Sequence, residues 1–222
     1  MRGEGVGEIQ IPDGFPDLLK AFTKAAIRTQ PRDLLLWTVG YFQALANHQV
    51  LPTKDHLEYG SHSKLQGIGG ATPGLLRVLY RQLQSQYLVT EEELREKWEY
   101  LCLDTESLDE LLNAGGYEGG NGSNVILPYV IAWVTWSMTS DLTSALDLLC
   151  HIMSQDPDHA GMDVDLFLDL WGFLGDDSLG NASEERKERV QDFLQLRARH
   201  QGGLVYPKDL HSIHFPNFES DL

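Results

Sequence analysis

The stretch from Phe15 to Leu45 holds more large apolar side chains than a pair of short helices can hide. Leu19, Thr23 and Ile27 recur every four residues, and Leu18, Phe22 and Ala26 form a second row beside them. Residues four apart share a helix face, so the two rows make one wide apolar stripe. Gln30-Pro31 breaks this helix, and Pro31 suits the first turn of the next one. The second helix, running to about Asn47, is apolar almost all round: Leu34, Leu35, Leu36, Trp37, Val39, Tyr41, Phe42 and Leu45. Each large apolar side chain left in water forgoes roughly 1.5–3 kcal/mol, so an isolated hairpin is not a stable end-point. The ordinary fate of such a stripe is burial in its own domain. The alternative is association, in which two hairpins form a four-helix bundle that leaves a shallow groove for a third helix.

Charge narrows the partners. The 222 residues carry 17 Lys and Arg against 33 Asp and Glu, a net charge of -16. Phosphate contact needs a basic face, so direct nucleic-acid binding is not expected and protein partners are. Hydrophobic content of 42% with 23% charged residues fits a soluble globular chain. The two cysteines, Cys102 and Cys150, have no CxxC neighbour, which points to a reducing compartment such as the cytoplasm. The first residues lack the apolar core of a secretory signal, and Val125–Trp136 is too short to span a bilayer.

The remaining pattern divides the chain into a hairpin at 9–47, a linker at 48–71 and a helical C-terminal region at 72–222. The linker contains the Gly67–Gly70 run, GIGG. Thr72-Pro73 starts a helix with Leu75, Leu76, Leu79 and Leu83 on its buried face. Thr90 and Glu93 form a capping box for the next. Further helices are expected at about 108–112, 126–138, 141–154, 163–174 and 183–200. A Gly-rich loop at 114–124 separates the first of these from the second. No strand-period pattern of useful length appears, so the fold class is all-α.

The segment IQIPDGFPDLLKAFTKAAIRTQPRDLLLWTVGYFQAL resembles the dimerisation/docking domain of the type II regulatory subunit of cAMP-dependent protein kinase. The resemblance rests on the IQIP arm, Leu18-Leu19, Thr23, Arg28-x-Gln30-Pro31, Asp33-Leu34 and Tyr41-Phe42. It implies an X-type four-helix bundle dimer that binds the amphipathic helix of an A-kinase anchoring protein. On that basis Ile9 and Ile11 flank the groove, and Leu19, Thr23 and Ile27 line it. Leu18, Phe22, Leu34, Trp37 and Phe42 build the dimer core. Lys20 and Lys24 stand where the kinase subunit has uncharged residues, which implies a preference for helices with acidic flanks. The continuation, with LPTKDHLE, GLLRVLYRQL and EELREKWEYLCL, resembles ropporin and ropporin-like proteins. That resemblance implies a non-enzymatic adaptor in the axoneme of a cilium or flagellum, including the radial spoke. Its partners there are a scaffold protein's anchoring helix, a second docking-domain chain and other axonemal proteins.

Beyond residue 141 the order of helices and loops is that of paired EF-hands, which raises a calcium-responsive regulator as the alternative. The ligand chemistry is missing. Calcium takes oxygens at alternate loop positions and a bidentate carboxylate at the twelfth. With Gly161 at the turn, Ala160 falls on a ligand position and Phe167 on the bidentate one. In the last loop Ala198, His200 and Gly202 lead, and only Asp209 meets a carboxylate position. His56 and His62 lack further ligands at zinc spacing. No nucleophile, base and orienter set is visible. No catalytic residue, metal site or cofactor is therefore expected.

Overall fold

A computed structural model describes residues 11–54, 65–84, 86–117, 123–156, 159–178 and 184–216. Ile9, His56 and His62 lie outside the described residues. The chain is all-α with short antiparallel strands, and it opens with a helical hairpin.

The hairpin is α1 (Phe15–Thr29) and α2 (Leu34–Ala46). Pro16 sits in the first turn of α1 with Asp17 at its positive end. The helix stops at Gln30, which takes a left-handed conformation (φ 48°) and returns its N–H to Ala26 O. The second helix begins at Leu34 rather than at Pro31. Asp33 is the reason: its carboxylate accepts from Leu36 N at 3.0 Å, so the cap fixes the start.

Two ladders organise the rest. The first block is α3 (Pro73–Gln82), β1 (Leu88–Thr90), α4 (Glu91–Tyr100), α5 (Thr105–Ala114), β2 (Asn124–Ile126) and α6 (Leu127–Trp136). The second is α7 (Leu142–Met153), β3 (Met162–Asp163), α8 (Val164–Ser178), α9 (Glu184–His200), β4 (Leu204–Val205) and α10 (Pro207–Leu210). β1 pairs antiparallel with β2, Val89 opposite Val125, and β3 pairs antiparallel with β4, Met162 opposite Val205. Each block is thus two helix–loop–helix units joined through their loops. The EF-hand order expected after residue 141 occurs twice, and the first copy begins at residue 73. Strands two or three residues long leave no period to read, which is why the first copy escaped the sequence pattern. One core of Leu76, Leu79, Leu94, Trp98, Leu146 and Phe167 runs through both blocks.

The loop register corrects the sequence reading of the third loop. Asp163 caps α8 by accepting from Asp165 N and Leu166 N. Tyr206 precedes α10, and Asp209 follows it by three. The same count from Asp163 puts Leu166, not Phe167, at the closing position. Phe167 is fully buried in the core instead. Nor is Gly161 a left-handed turn residue, since its φ is not among the positive ones. It is small because a Cβ there would lie 2.9 Å from the Tyr206 ring.

Internal groups do in these loops what an ion does in a calcium-loaded one. The guanidinium of Arg77, on α3 and 1% exposed, donates to His151 O and Asp156 O, both at 3.1 Å. The buried Asp209 carboxylate accepts from Gln201 Nε2 at 2.8 Å and from Tyr206 N at 3.0 Å. In the first loop Glu93 takes the Thr90 hydroxyl at the α4 cap. Loop carbonyls and carboxylates already hydrogen-bonded in this way gain little from a cation.

The stretch read as a linker is anchored at both described ends. Trp37 Nε1 donates to Pro52 O at 2.6 Å, Lys54 N to Thr29 Oγ1 at 3.2 Å, and Gln82 Nε2 to Val50 O at 2.9 Å. Ile68–Gly70 form one 3-10 turn, in which Gly69 (φ 68°) packs on Trp98 and accepts from Asp104 N at 3.0 Å. Left-handed geometry at that close approach is what the Gly run supplies.

Two outcomes follow from this packing. A Gly40→Ala change puts a methyl 2.6 Å from Tyr100 Cβ, where α2 meets α4. It is expected to lower stability by about 1–3 kcal/mol, read as a lower guanidinium midpoint. Titrating the metal-free protein with calcium in a calorimeter is expected to give a flat trace with no rise in melting temperature. A saturating binding isotherm would contradict the account of the loops given above.

Candidate partner-docking face

The first helix divides cleanly. Ala25 and Thr29 are buried and Leu18, Phe22 and Ala26 half-buried, all on one side. Phe22 stacks on Phe42 with centroids 5.1 Å apart and meets Tyr41 edge-on at 5.3 Å. Aromatic contacts of this geometry add to simple area burial and fix how α1 lies on α2. The other side carries Phe15, Leu19, Thr23 and Ile27, all exposed, with Leu19 42% and Ile27 68% open to solvent. The Thr23 hydroxyl donates back to Leu19 O at 2.8 Å, so it places no unmet polar group on this stripe. Ile11, 64% exposed, lies just before the helix.

The second helix explains why its sequence looked apolar all round: it has two apolar sides. Trp37, Gly40, Tyr41 and Ala44 are buried against α1 and the C-terminal body. On the far side Leu34, Leu35 and Val39 remain exposed, Leu35 by 82%. Thr38 between them returns its hydroxyl to Leu34 O at 2.6 Å. The body takes part through α4, where Gly40 lets the helices approach until Tyr100 touches the backbone. Cys102 Sγ donates to Asp33 O at 3.4 Å and Lys97 Nζ to Gln49 Oε1 at 3.4 Å.

The described groove residues expected from sequence therefore come together. Ile11, Leu19, Lys20, Thr23, Lys24 and Ile27 are all exposed on or beside one face. The residues expected in a dimer core separate. Leu34 is exposed and Phe42 half-buried, but Trp37 is fully buried within the single chain and spent on Pro52. Leu18 and Phe22 sit half-buried on the inner side of α1. Phe15, Leu35 and Val39 extend the exposed apolar surface and were not singled out by sequence. Phe15 stands four residues before Leu19, so the same spacing rule reaches it. Leu35 and Val39 needed knowledge of which side of α2 the body covers.

Among the described residues, one polar cluster brings hydroxyls, a carboxylate and an imidazole together. A cleft of about 570 Å³ contains Ser140, Ser144, Asp147 and His211. His211 Nε2 lies 3.1 Å from Asp147 Oδ1. Yet Ser140 and Ser144 both hydrogen-bond to Asp141 Oδ2, at 3.2 and 2.7 Å, where Asp141 caps α7. Their hydroxyls serve a helix end rather than a base. Among the described residues, no group of three or more His, Cys, Asp or Glu side chains is placed to hold a metal ion. Among them also, no helix is long and apolar enough to cross a membrane.

The hairpin and the block after it each match a known family domain. Residues 6–49 match the family model for the ropporin N-terminal domain, and residues 74–120 match that for the ropporin middle domain. These domains point to a structural, adaptor-type role linked to flagella and cilia, exercised through protein–protein interaction. The two matches, over the hairpin and over part of the helical block behind it, support a ropporin-like family assignment.

Proposed function

We propose that this protein is a non-enzymatic adaptor of the ciliary or flagellar axoneme that pairs through its hairpin and holds the amphipathic anchoring helix of a radial-spoke scaffold protein. The observation that carries this is the division of the hairpin into one packed and two unpacked apolar sides. Four-residue spacing gives α1 the Phe15, Leu19, Thr23 and Ile27 stripe. The body covers one side of α2 and leaves Leu34, Leu35 and Val39 open. Two separate apolar faces fit two occupants. A second hairpin seats on the Leu34, Leu35 and Val39 side, with Phe42 at its edge, and closes a four-helix bundle of X type. The stripe on α1 then takes a partner helix, with Ile11 along its margin.

Burying apolar surface supplies the affinity, and the rigid attachment of α2 to α4 supplies the orientation. A hairpin fixed in place before binding loses less freedom on association than a tethered one. The body then sits at a set position beside the bundle, able to meet neighbouring axonemal proteins.

Two substitutions separate the two faces. Ile27→Glu places a charge in the groove and is expected to abolish binding of an anchoring-type helix, read by fluorescence anisotropy, while light scattering still reports a dimer. Leu35→Glu is expected to convert the dimer to a monomer. Wild-type helix affinity in the Ile27→Glu protein would overturn the groove assignment. A dimer persisting in the Leu35→Glu protein would overturn the assignment of the α2 face.

A further inference from the structure

We infer that the helix held by this groove carries carboxylates along both long edges of its apolar stripe, and that Lys20 and Lys24 select it by charge. The inference rests on the docking reading above and names the chemistry of its partner.

The argument starts from the order of side chains around α1. At about 100° per residue, the exposed apolar stripe runs from Phe15 through Leu19 and Thr23 to Ile27. One border of the stripe is the packed side of the helix, with Phe22 and Ala26. Its other border is basic. Lys20 and Lys24 are exposed and four residues apart, so they stand in one row beside Ile27, and Arg28 continues that row. Asp17 is the single acid on the helix. In a chain of net charge -16, a concentration of cations beside an exposed apolar stripe departs from the rest of the surface.

Symmetry then doubles the pattern. In a two-fold bundle both copies of α1 contribute to the groove, each with its own Lys20 and Lys24 row. The rows fall on opposite long edges, and a helix lying between them meets cations on both flanks. Glutamate or aspartate there pairs with the lysines, whereas lysine or arginine is repelled. Such rim charges govern choice of partner and rate of association more than total affinity. Salt weakens them, because the lysines are solvent-exposed.

An anionic membrane surface also combines apolar burial with basic edges. The helix is favoured because α1 is held against α2 by Phe22 and Ala25. The strongly acidic chain would also be repelled by an anionic bilayer.

The test uses the full-length protein and two labelled amphipathic peptides with the same apolar face, one flanked by Glu and one by Lys. The Glu-flanked peptide is expected to bind about tenfold tighter at low salt, with the gap closing in 0.5 M salt, an ionic strength at which screening reaches only about 4 Å. The double variant K20E/K24E is expected to reverse the preference while remaining a dimer by light scattering. Equal affinity for both peptides, or an unchanged preference in the double variant, overturns the charge selection and leaves the docking reading standing. Binding of neither peptide overturns the docking reading and this inference with it. Sedimentation with phosphatidylserine vesicles in place of peptide binding assigns the face to a membrane and overturns both.

Discussion

The hairpin is organised by what α2 leans against. Trp37, Gly40, Tyr41 and Ala44 form its packed side, with Trp37 fully buried and hydrogen-bonded to Pro52 O. A buried indole N–H left without an acceptor costs about 1–3 kcal/mol, so that hydrogen bond holds the segment after the hairpin against it. Gly40 brings α2 within reach of Tyr100 on α4. With one side committed in this way, the remaining apolar residues of α2 and of α1 are left facing outward. The exposed surface is thus a consequence of the packed one. The same helix cannot turn Leu35 inward without turning Trp37 out.

The C-terminal body shows how a paired helix–loop–helix fold survives without the chemistry that usually holds its loops. Ladder pairing through Val89 and Val125, and through Met162 and Val205, keeps the loops in register. Arg77 reaches from α3 in the first block to carbonyls beside and within the third loop in the second block, and Gln201 satisfies Asp209. A covalently supplied cation carries no concentration dependence, so Arg77 holds the third loop without an added ion. That suits a scaffold part better than a sensor. The hairpin differs, because apolar faces remain open there.

Sequence by itself determined the hairpin, its break, the helical class and the two apolar rows of α1. These follow from local rules: four-residue spacing, the Gln30-Pro31 break and caps such as Thr72 and Thr90. The Leu19, Thr23 and Ile27 row was legible because helix periodicity depends only on neighbours in the chain, whereas its reading as a groove, with Ile11 before it, came from the family resemblance. Tertiary structure decided what local rules cannot reach. Trp37 looked like any other apolar residue of an all-apolar helix. Its burial inside one chain depends on Pro52 and on α4. The Gly67–Gly70 run read as linker, yet Gly69 is small because Trp98 and Asp104 crowd it. The first ladder was invisible because two three-residue strands acquire meaning only when paired. Which side of α2 is free was decided by α4, a helix far along the chain, since burial is a property of the neighbours a fold brings together.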